Sequence, residues 1–195
     1  MSTAPITTDD PVRLVEELAR AGRAAQRRLA RMTDDQKAAA LRAAAGALRA
    51  QGAEILAANQ RDLEAGRARG LSAAMLDRLA LDEKRLEGIA AGVEAVAALP
   101  DPVGEVIDTS TVPSGLRLSR VRIPIGLIGI IYESRPNVTA DAAALCVRAG
   151  NAVLLRGGSE AVHSNRAIHA ALAEGLASAG VPAEAVQLMP TQDRE

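Results

Sequence analysis

The sequence predicts an α/β chain in three parts: helices over residues 1–100, a β-hairpin or meander over 101–123, and a βαβαβ unit with a parallel sheet over 124–195. Three observations predict it. Apolar residues recur with period 3.6 from position 11 to about position 99, in a stretch rich in the strong helix formers Ala, Leu, Arg and Glu. Beyond Pro100 and Pro102 the pattern changes to strict alternation. From position 124 onward, short apolar runs alternate with longer helical ones, as expected of strands covered by helices.

In the helical part, Thr33 followed by Asp34, Asp35 and Gln36 forms a capping box, and the helix it opens runs through Leu41, Ala45 and Leu48 toward Ile55. Shorter helices follow. Asn59 begins a segment holding Leu63, which Gly70 interrupts; Ser72 begins one with Met75 and Leu79; Asp82 caps one with Leu86, Ile89, Val93 and Val96. Pro100 and Pro102 stop the region, because proline lacks an amide donor and disfavours helix at the residue before it.

The runs GEVIDTSTV and LRLSRVRI flank the turn signal Pro113, Ser114, Gly115, so they read as a hairpin with one wet face. PIGLIGII is apolar on both sides, as a strand covered by helices on both faces must be. Then come VTADAAALCVRAG as helix, AVLLR as strand, SEAVHSNRAIHAALAEGLASAG as helix and AVQLM as strand. Gly150 and Gly180 end the two helices in the left-handed conformation that glycine adopts without strain. Right-handed crossovers make the sheet parallel.

Composition excludes several function classes. With 23 basic and 24 acidic residues the net charge is −1, so no global positive field gathers nucleic acid or anionic membrane. Tyr132 is the one aromatic residue, which removes stacking platforms for single strands. One cysteine, Cys146, cannot form an internal disulfide, and with two histidines it falls short of a structural zinc set. Cys146 lies among Ala143, Ala144, Leu145 and Val147 on an apolar helix face, where a thiol acts as a small hydrophobe of raised pKa. His163 and His169 have no partner at metal spacing. The start, MSTAPITTDDP, has no basic and apolar leader, and no run approaches the roughly 20 apolar residues of a membrane span. A reducing cytoplasm is the expected location. At about 150 residues per domain, 195 residues make one domain and an unfinished second.

In open parallel sheets, ligands bind outside the carboxyl ends of the strands, where loops and helix N-termini converge. Two loops fall there. In Arg156, Gly157, Gly158, Ser159 and Glu160, the glycines admit a close ligand and Ser159 caps the next helix, whose free amides favour an anion. Arg156 adds a cation, and Glu160 a carboxylate suited to ribose hydroxyls. The same five residues also read as a plain glycine turn with an N-cap, and the spacing matches neither of the usual nucleotide fingerprints. In residues 132–137, Arg135 suits a carboxylate or phosphate, and Ser134 or Asn137 can donate to a developing oxyanion; the alternative is a polar turn before a proline-started helix. Two such loops at one sheet edge make a cleft.

The run VRIPIGLIGIIYESRPNVTADAAALCVRAGNAVLLRGGSEAVHSNRAI resembles the signature region of the gamma-glutamyl phosphate reductase family, and LSAAMLDRLALDEKRLEGIAAGVEAVAALPDPVGEVID resembles it upstream. More distantly, AGNAVLLRGGSE is similar to the aldehyde dehydrogenase superfamily, where that turn receives the adenosine half of a nicotinamide cofactor. The resemblance implies an aldehyde dehydrogenase-like fold: a helical N-terminal region, a β-hairpin and a Rossmann-like NADP-binding unit, with the catalytic domain a separate one. It implies NADPH-dependent reduction of L-glutamyl 5-phosphate to L-glutamate 5-semialdehyde with release of phosphate, the second step of proline biosynthesis. In that reaction an enzyme cysteine displaces phosphate and hydride reduces the thioester.

By this resemblance Arg156, Gly157, Gly158, Ser159 and Glu160 line the adenosine region of NADPH, with Arg156 the candidate for the 2′-phosphate. Ser134, Arg135 and Asn137 belong to the substrate loop. The family's catalytic cysteine comes after the position of Glu195, so no catalytic residue is expected in this chain. An N-terminal fragment, inactive alone and homo-oligomeric when full length, is the expectation. Glutamate 5-kinase is implied as a channelling partner. Two other readings stand: an NAD-dependent aldehyde dehydrogenase of another substrate, and a non-catalytic helical interaction module.

Overall fold

Asp10 opens the first helix by accepting the Arg13 amide at 3.0 Å, with Pro11 in the first helical turn where no amide donor is needed. The structure, a computed structural model, describes residues 10–192. The first nine residues, read above for a leader, lie outside the described residues. So does Glu195, the last residue of the unit expected over 124–195 and the point beyond which the catalytic cysteine is expected; the described part of that unit ends at Gln192. Helix α1 (Pro11–Leu29) is followed by α2 (Asp34–Ala50), α3 (Gly52–Ala68), α4 (Ala73–Leu79) and α5 (Glu83–Ala97). The capping box at α2 forms as expected, Thr33 Oγ1 accepting the Gln36 amide at 3.2 Å and Gln36 Oε1 accepting the Thr33 amide at 2.8 Å. Ser72 and Asp82 cap α4 and α5 through the amides of Met75 and Arg85.

One helical boundary differs from expectation. The second helix stops at Ala50, before Ile55, because the chain leaves helical geometry at Gln51 and restarts at Gly52. Asn59, expected to start a segment, sits buried inside α3. Its amide serves another element: Nδ2 donates to the Leu79 carbonyl at 2.8 Å and Oδ1 accepts the Leu81 amide at 2.8 Å. An asparagine that satisfies a distant turn looks in sequence like one that caps a helix.

Strands β1 (Val106–Thr111) and β2 (Arg117–Val121) form an antiparallel hairpin with Thr109 opposite Ser119. The expected single wet face is a double one, since every residue of both strands is exposed. Alternation reports the pleat but not whether anything covers it.

Strands β3 (Leu127–Ile131), β4 (Ala152–Arg156) and β5 (Val186–Leu188) form the parallel sheet in the order β3-β4-β5. Helix α6 (Asn137–Arg148) joins β3 to β4, and α7 (Val162–Ser178) joins β4 to β5. Gly150 and Gly180 take φ of 70° and 85°, as expected. Two right-handed crossovers in one direction put α6 and α7 on the same face of the sheet. Helix α1 packs against all three strands. The best covered strand is the central β4; β3, expected to be covered on both faces, is an edge, with Ile131 74% exposed and Ile125 just before it 80% exposed. An all-apolar run marks a strand without marking its place in the sheet.

The core is aliphatic, with Leu29, Leu41, Leu48, Val93, Val147, Leu155, Ile168 and Leu172 all fully buried and Tyr132 the one aromatic in it. Helices α2 and α7 cross in contact at Gly175, where a Cβ would lie 2.5 Å from the Ala44 Cα. This helical layer places the α4–α5 corner opposite the start of α6.

Candidate functional site

The loop after β3 is held from below by buried hydroxyls. Tyr132 Oη lies 2.7 Å from Thr139 Oγ1, which donates to Asn165 Oδ1 on α7 at 3.2 Å. Burial pushes the Tyr132 phenol above its ordinary pKa, so it stays protonated at neutral pH. Above this anchor, Ser134 has a left-handed backbone, φ 44°, which a non-glycine residue holds only when its surroundings fix it. They do: Glu160 Oε1 accepts the Ser134 amide at 2.7 Å and the Ser134 hydroxyl at 2.6 Å. The two expected loops are thus bonded to each other, and Ser134 acts as the tie between them.

The second loop departs from expectation at its cap. Ser159 and Glu160 lie in a short 3-10 turn, Ser159–Ala161, and α7 starts only at Val162, without a side-chain cap at its N-cap residue Ala161. Ser159 does not cap α7. Asp62 of α3 takes that role, its buried carboxylate accepting the His163 amide at 3.1 Å, the Ser164 amide at 2.7 Å and the Ser164 hydroxyl at 2.6 Å. Two of the first amides of α7 are therefore filled from inside the protein, and Glu160 precedes the helix instead of sitting in its first turn. Local sequence could not show this, because the acid comes from a helix about a hundred residues earlier. The glycines also sit close to neighbouring side chains: a Cβ on Gly157 would meet the buried Asn165 Nδ2 at 2.0 Å, and one on Gly158 would displace the Glu160 carboxylate, 2.6 Å away. Arg156 Nη2 donates to the Gln192 carbonyl at 2.7 Å.

Arg135 and Asn137 face a different space. A cavity of 420 Å³ lies between the start of α6 and the α4–α5 corner, lined by Arg135, Asn137 and Asp141 on one side and Asp77, Arg78 and Arg85 on the other. No residue of 156–160 lines it. The expected single cleft is therefore two places joined by the Ser134–Glu160 contact. Arg85 builds the corner by donating to the Asp77 and Ala80 carbonyls at 2.6 and 2.9 Å and pairing with the Asp77 carboxylate at 2.7 Å. Asn137 Nδ2 donates to Asp141 Oδ2 at 2.9 Å, one turn along α6. Burial raises the Asp141 pKa, and the bond from Asn137 lowers it in part.

Asp141, Arg78 and Arg85 were missed by sequence reasoning. Asp141 carried a signal, as a lone acid one turn after Asn137 in the alanine-rich run VTADAAALCVRAG. The two arginines carried none, because only the tertiary fold brings α4 and α5 to this loop. A larger hollow of 570 Å³ beside Leu99, Pro102 and Leu145 is lined by Arg148 and Asp101, whose charges are engaged internally with Asp34 and Lys37. Among the described residues, no group of three His, Cys, Asp or Glu side chains could hold a metal ion. No helix among them is long and apolar enough to cross a membrane.

The model of the aldehyde dehydrogenase family matches residues 7–195. The chain belongs to that family. It is 68% identical over 195 residues to the gamma-glutamyl phosphate reductase of Novosphingobium aromaticivorans, all of this chain against 46% of that protein. It is 68% identical over 181 residues to the one from Sphingopyxis alaskensis, 93% of this chain against 42% of that protein. Among solved structures, the gamma-glutamyl phosphate reductase of Thermotoga maritima superposes with a TM-score of 0.89 at 45% identity, covering 93% of this chain and 44% of that one. That of Saccharomyces cerevisiae superposes at 0.85 and 34% identity, covering 91% and 46%. The chain thus spans a little under half the length of the relatives it matches. Its helical N-terminal region followed by small sheets is the aldehyde dehydrogenase-like fold.

Membership in this family of oxidoreductases implies a nicotinamide cofactor. The loop 156–160 fits part of one. A half-buried guanidinium, an exposed hydroxyl and a half-buried carboxylate, from Arg156, Ser159 and Glu160, suit a ribose and its phosphate. The amide end of α7 does not fit a pyrophosphate, since Asp62 holds it.

Proposed function

We propose that the chain forms the cofactor loop and the substrate loop of a gamma-glutamyl phosphate reductase, which reduces L-glutamyl 5-phosphate to L-glutamate 5-semialdehyde and releases inorganic phosphate. The observation that carries this reading is the cavity between α6 and the α4–α5 corner, where Arg78, Arg85 and Arg135 meet Asp77 and Asp141. Three cations and two carboxylates around one space suit a small molecule with several negative groups and one positive one, as an amino-acid acyl phosphate has. The reductases at 68% identity support the same substrate.

In this reading residues 1–100 are the helical N-terminal part of the cofactor-binding domain, residues 101–123 a hairpin, and residues 124–195 its Rossmann-like NADP-binding unit. Arg156, Gly157, Gly158, Ser159 and Glu160 hold the adenosine half of NADPH, with Arg156 on the 2′-phosphate. The bound cofactor supplies a hydride to the acyl group. Arg135 takes an anionic group of the substrate, and Asn137, at the helix start, donates to the oxygen that gains charge as the acyl carbon is attacked. Ser134 acts through Glu160, keeping the substrate loop in register with the cofactor loop.

Displacing phosphate requires a thiolate. The one thiol of the chain, Cys146, is buried in α6 with its pKa pushed up to about 11, so these 195 residues alone should not turn over. The nucleophile of the reaction is then a cysteine placed after Glu195 in the whole reductase. The reading also places the protein in the cytoplasm, as a homo-oligomer, with glutamate 5-kinase as the partner that delivers the acyl phosphate.

The test is a chimera in which these 195 residues replace the matching residues of the Novosphingobium aromaticivorans reductase. Assayed in reverse with L-glutamate 5-semialdehyde, phosphate and NADP, it should turn over, and the chain by itself should not. Oxidation of unrelated aldehydes with NAD and without phosphate would favour another dehydrogenase. Turnover by the chain alone that Cys146→Ser abolishes would overturn the assignment of the nucleophile.

A further inference from the structure

Asp141 is a half-buried carboxylate on the cavity wall whose hydrogen-bond partner is a neutral amide, Asn137 Nδ2. Among the described residues no cationic side chain stands within 4.0 Å of it. A carboxylate kept out of water without a counter-ion costs free energy in the empty protein, and a bound cation would return it. Opposite, Arg85 is committed to Asp77 and two backbone carbonyls, whereas Arg78 forms no ion pair with any described residue. The space before Asp141 is also kept open. Gly88 and Gly92 lie one turn apart in α5; a Cβ on Gly88, which lines the cavity, would touch nothing within 4 Å, and one on Gly92 would meet only Asp141 Oδ1, at 3.9 Å. Glycine inside a helix is disfavoured by about 1 kcal/mol relative to alanine, and packing does not require it at either position.

We propose that the Asp141 carboxylate receives the α-ammonium group of an amino-acid substrate and Arg78 its α-carboxylate, so that this pair selects for the amino-acid end while Arg135 remains for the reacting end. The pairing is chemically complementary: one unpaired anion and one unpaired cation lining the same 420 Å³ space match the two charges of a zwitterion. It rests on the reductase reading for the identity of the remaining chain and adds to it the residues that tell glutamyl from a simple dicarboxylic acyl group. Asp141 and Arg78 are specificity residues in this account, distant from the bond that breaks.

Two measurements test it. On the chain as it stands, NMR titration with L-glutamine should shift the amides around Asp141, Arg78 and Gly88. Glutaramate, which lacks the ammonium, and 4-aminobutanamide, which lacks the carboxylate, should each bind about tenfold to a hundredfold more weakly, as expected for losing one charge-assisted contact. Asp141→Asn keeps the bond to Asn137 and should erase the preference for L-glutamine over glutaramate only. Arg78→Ala should erase the preference over 4-aminobutanamide only. In the chimera, the same variants should lower kcat/KM for L-glutamate 5-semialdehyde by tenfold or more. Asp141→Asn should lower kcat/KM for L-glutamate 5-semialdehyde at least about tenfold more than for 5-oxopentanoate, the aldehyde without the amino group.

An equal loss for amino and des-amino ligands in Asp141→Asn would overturn the proposal and give Asp141 a structural role. Turnover of the unmodified chimera, with both variants keeping the ligand preferences of the unmodified chain, would sink the subsite alone. Selective binding at Asp141 with a chimera that does not reduce acyl phosphates would sink the reductase reading and leave the amino-acid subsite standing.

Discussion

Glu160 Oε1 accepts both the amide and the hydroxyl of Ser134, at 2.7 and 2.6 Å, tying the loop that follows β3 to the loop that follows β4. One oxygen thereby fixes a serine at φ 44° and sets the spacing between the loop after β3 and the loop after β4. Hydrogen bonds to a charged group of this kind contribute about 1.5–3 kcal/mol. Glu160→Ala should lower the urea midpoint by a corresponding amount at unchanged slope, and should speed amide exchange at Ser134. Unchanged exchange at Ser134 would show that the loop holds its shape without Glu160.

Arg156 separates two roles. If its guanidinium reads a 2′-phosphate, Arg156→Ala in the chimera should weaken NADPH by roughly tenfold to a hundredfold and leave NADH nearly unchanged. Its bond to the Gln192 carbonyl offers the other role, support of the segment after β5. Kinetics with both cofactors decide, since an equal loss for the two would assign Arg156 to support.

Cys146 should be unreactive while the chain is folded. Burial raises its pKa from an ordinary 9.0 to about 11, so at pH 8 only about a thousandth is thiolate. Alkylation by iodoacetamide at pH 8 should be at least about tenfold slower in buffer than in denaturing urea. The folded chain also holds this proton more tightly than the unfolded one. Its contribution to stability is therefore constant below pH 9 and is lost as pH rises from 9 toward 11. Rapid alkylation in buffer would mean that α6 opens locally.

Asp62 caps α7 from α3 with three accepted hydrogen bonds. Asp62→Ala leaves the Ser164 hydroxyl and two helix amides without that acceptor, at a cost of about 1.5–3 kcal/mol. Thermal unfolding of this variant should begin at a clearly lower temperature, and hydrogen exchange should rise first at His163 and Ser164.

Two glycines in helices should respond with opposite signs. At Gly175 an added Cβ would press on the backbone of Ala44, so Gly175→Ala should destabilise by about 1–3 kcal/mol. At Gly46, exposed on α2, a Cβ meets nothing within 4 Å, and Gly46→Ala should stabilise by up to about 1 kcal/mol. Chemical denaturation of the two variants checks both, and a stabilised Gly175→Ala would show that the α2–α7 crossing can relax.

What depends on neighbours in the chain was legible. The Thr33–Gln36 capping box, the caps at Ser72 and Asp82, the left-handed Gly150 and Gly180, and the strand–helix alternation all follow from local chemistry, and each is found in the structure. The runs around YESRPN and RGGSE are also specific enough to indicate the family from sequence alone. What depends on groups distant along the chain was decided only by folding. Asp62 replaced Ser159 as the cap of α7, and Asn59 became a brace for the α4–α5 corner. Arg78 and Arg85 arrived opposite Asp141 from helices about sixty residues earlier, and β3 fell at the edge of its sheet. The physical reason is that backbone propensity and capping act within a few residues. Burial, charge pairing and the sharing of a cavity depend on distance in space, and only the packed fold sets that distance.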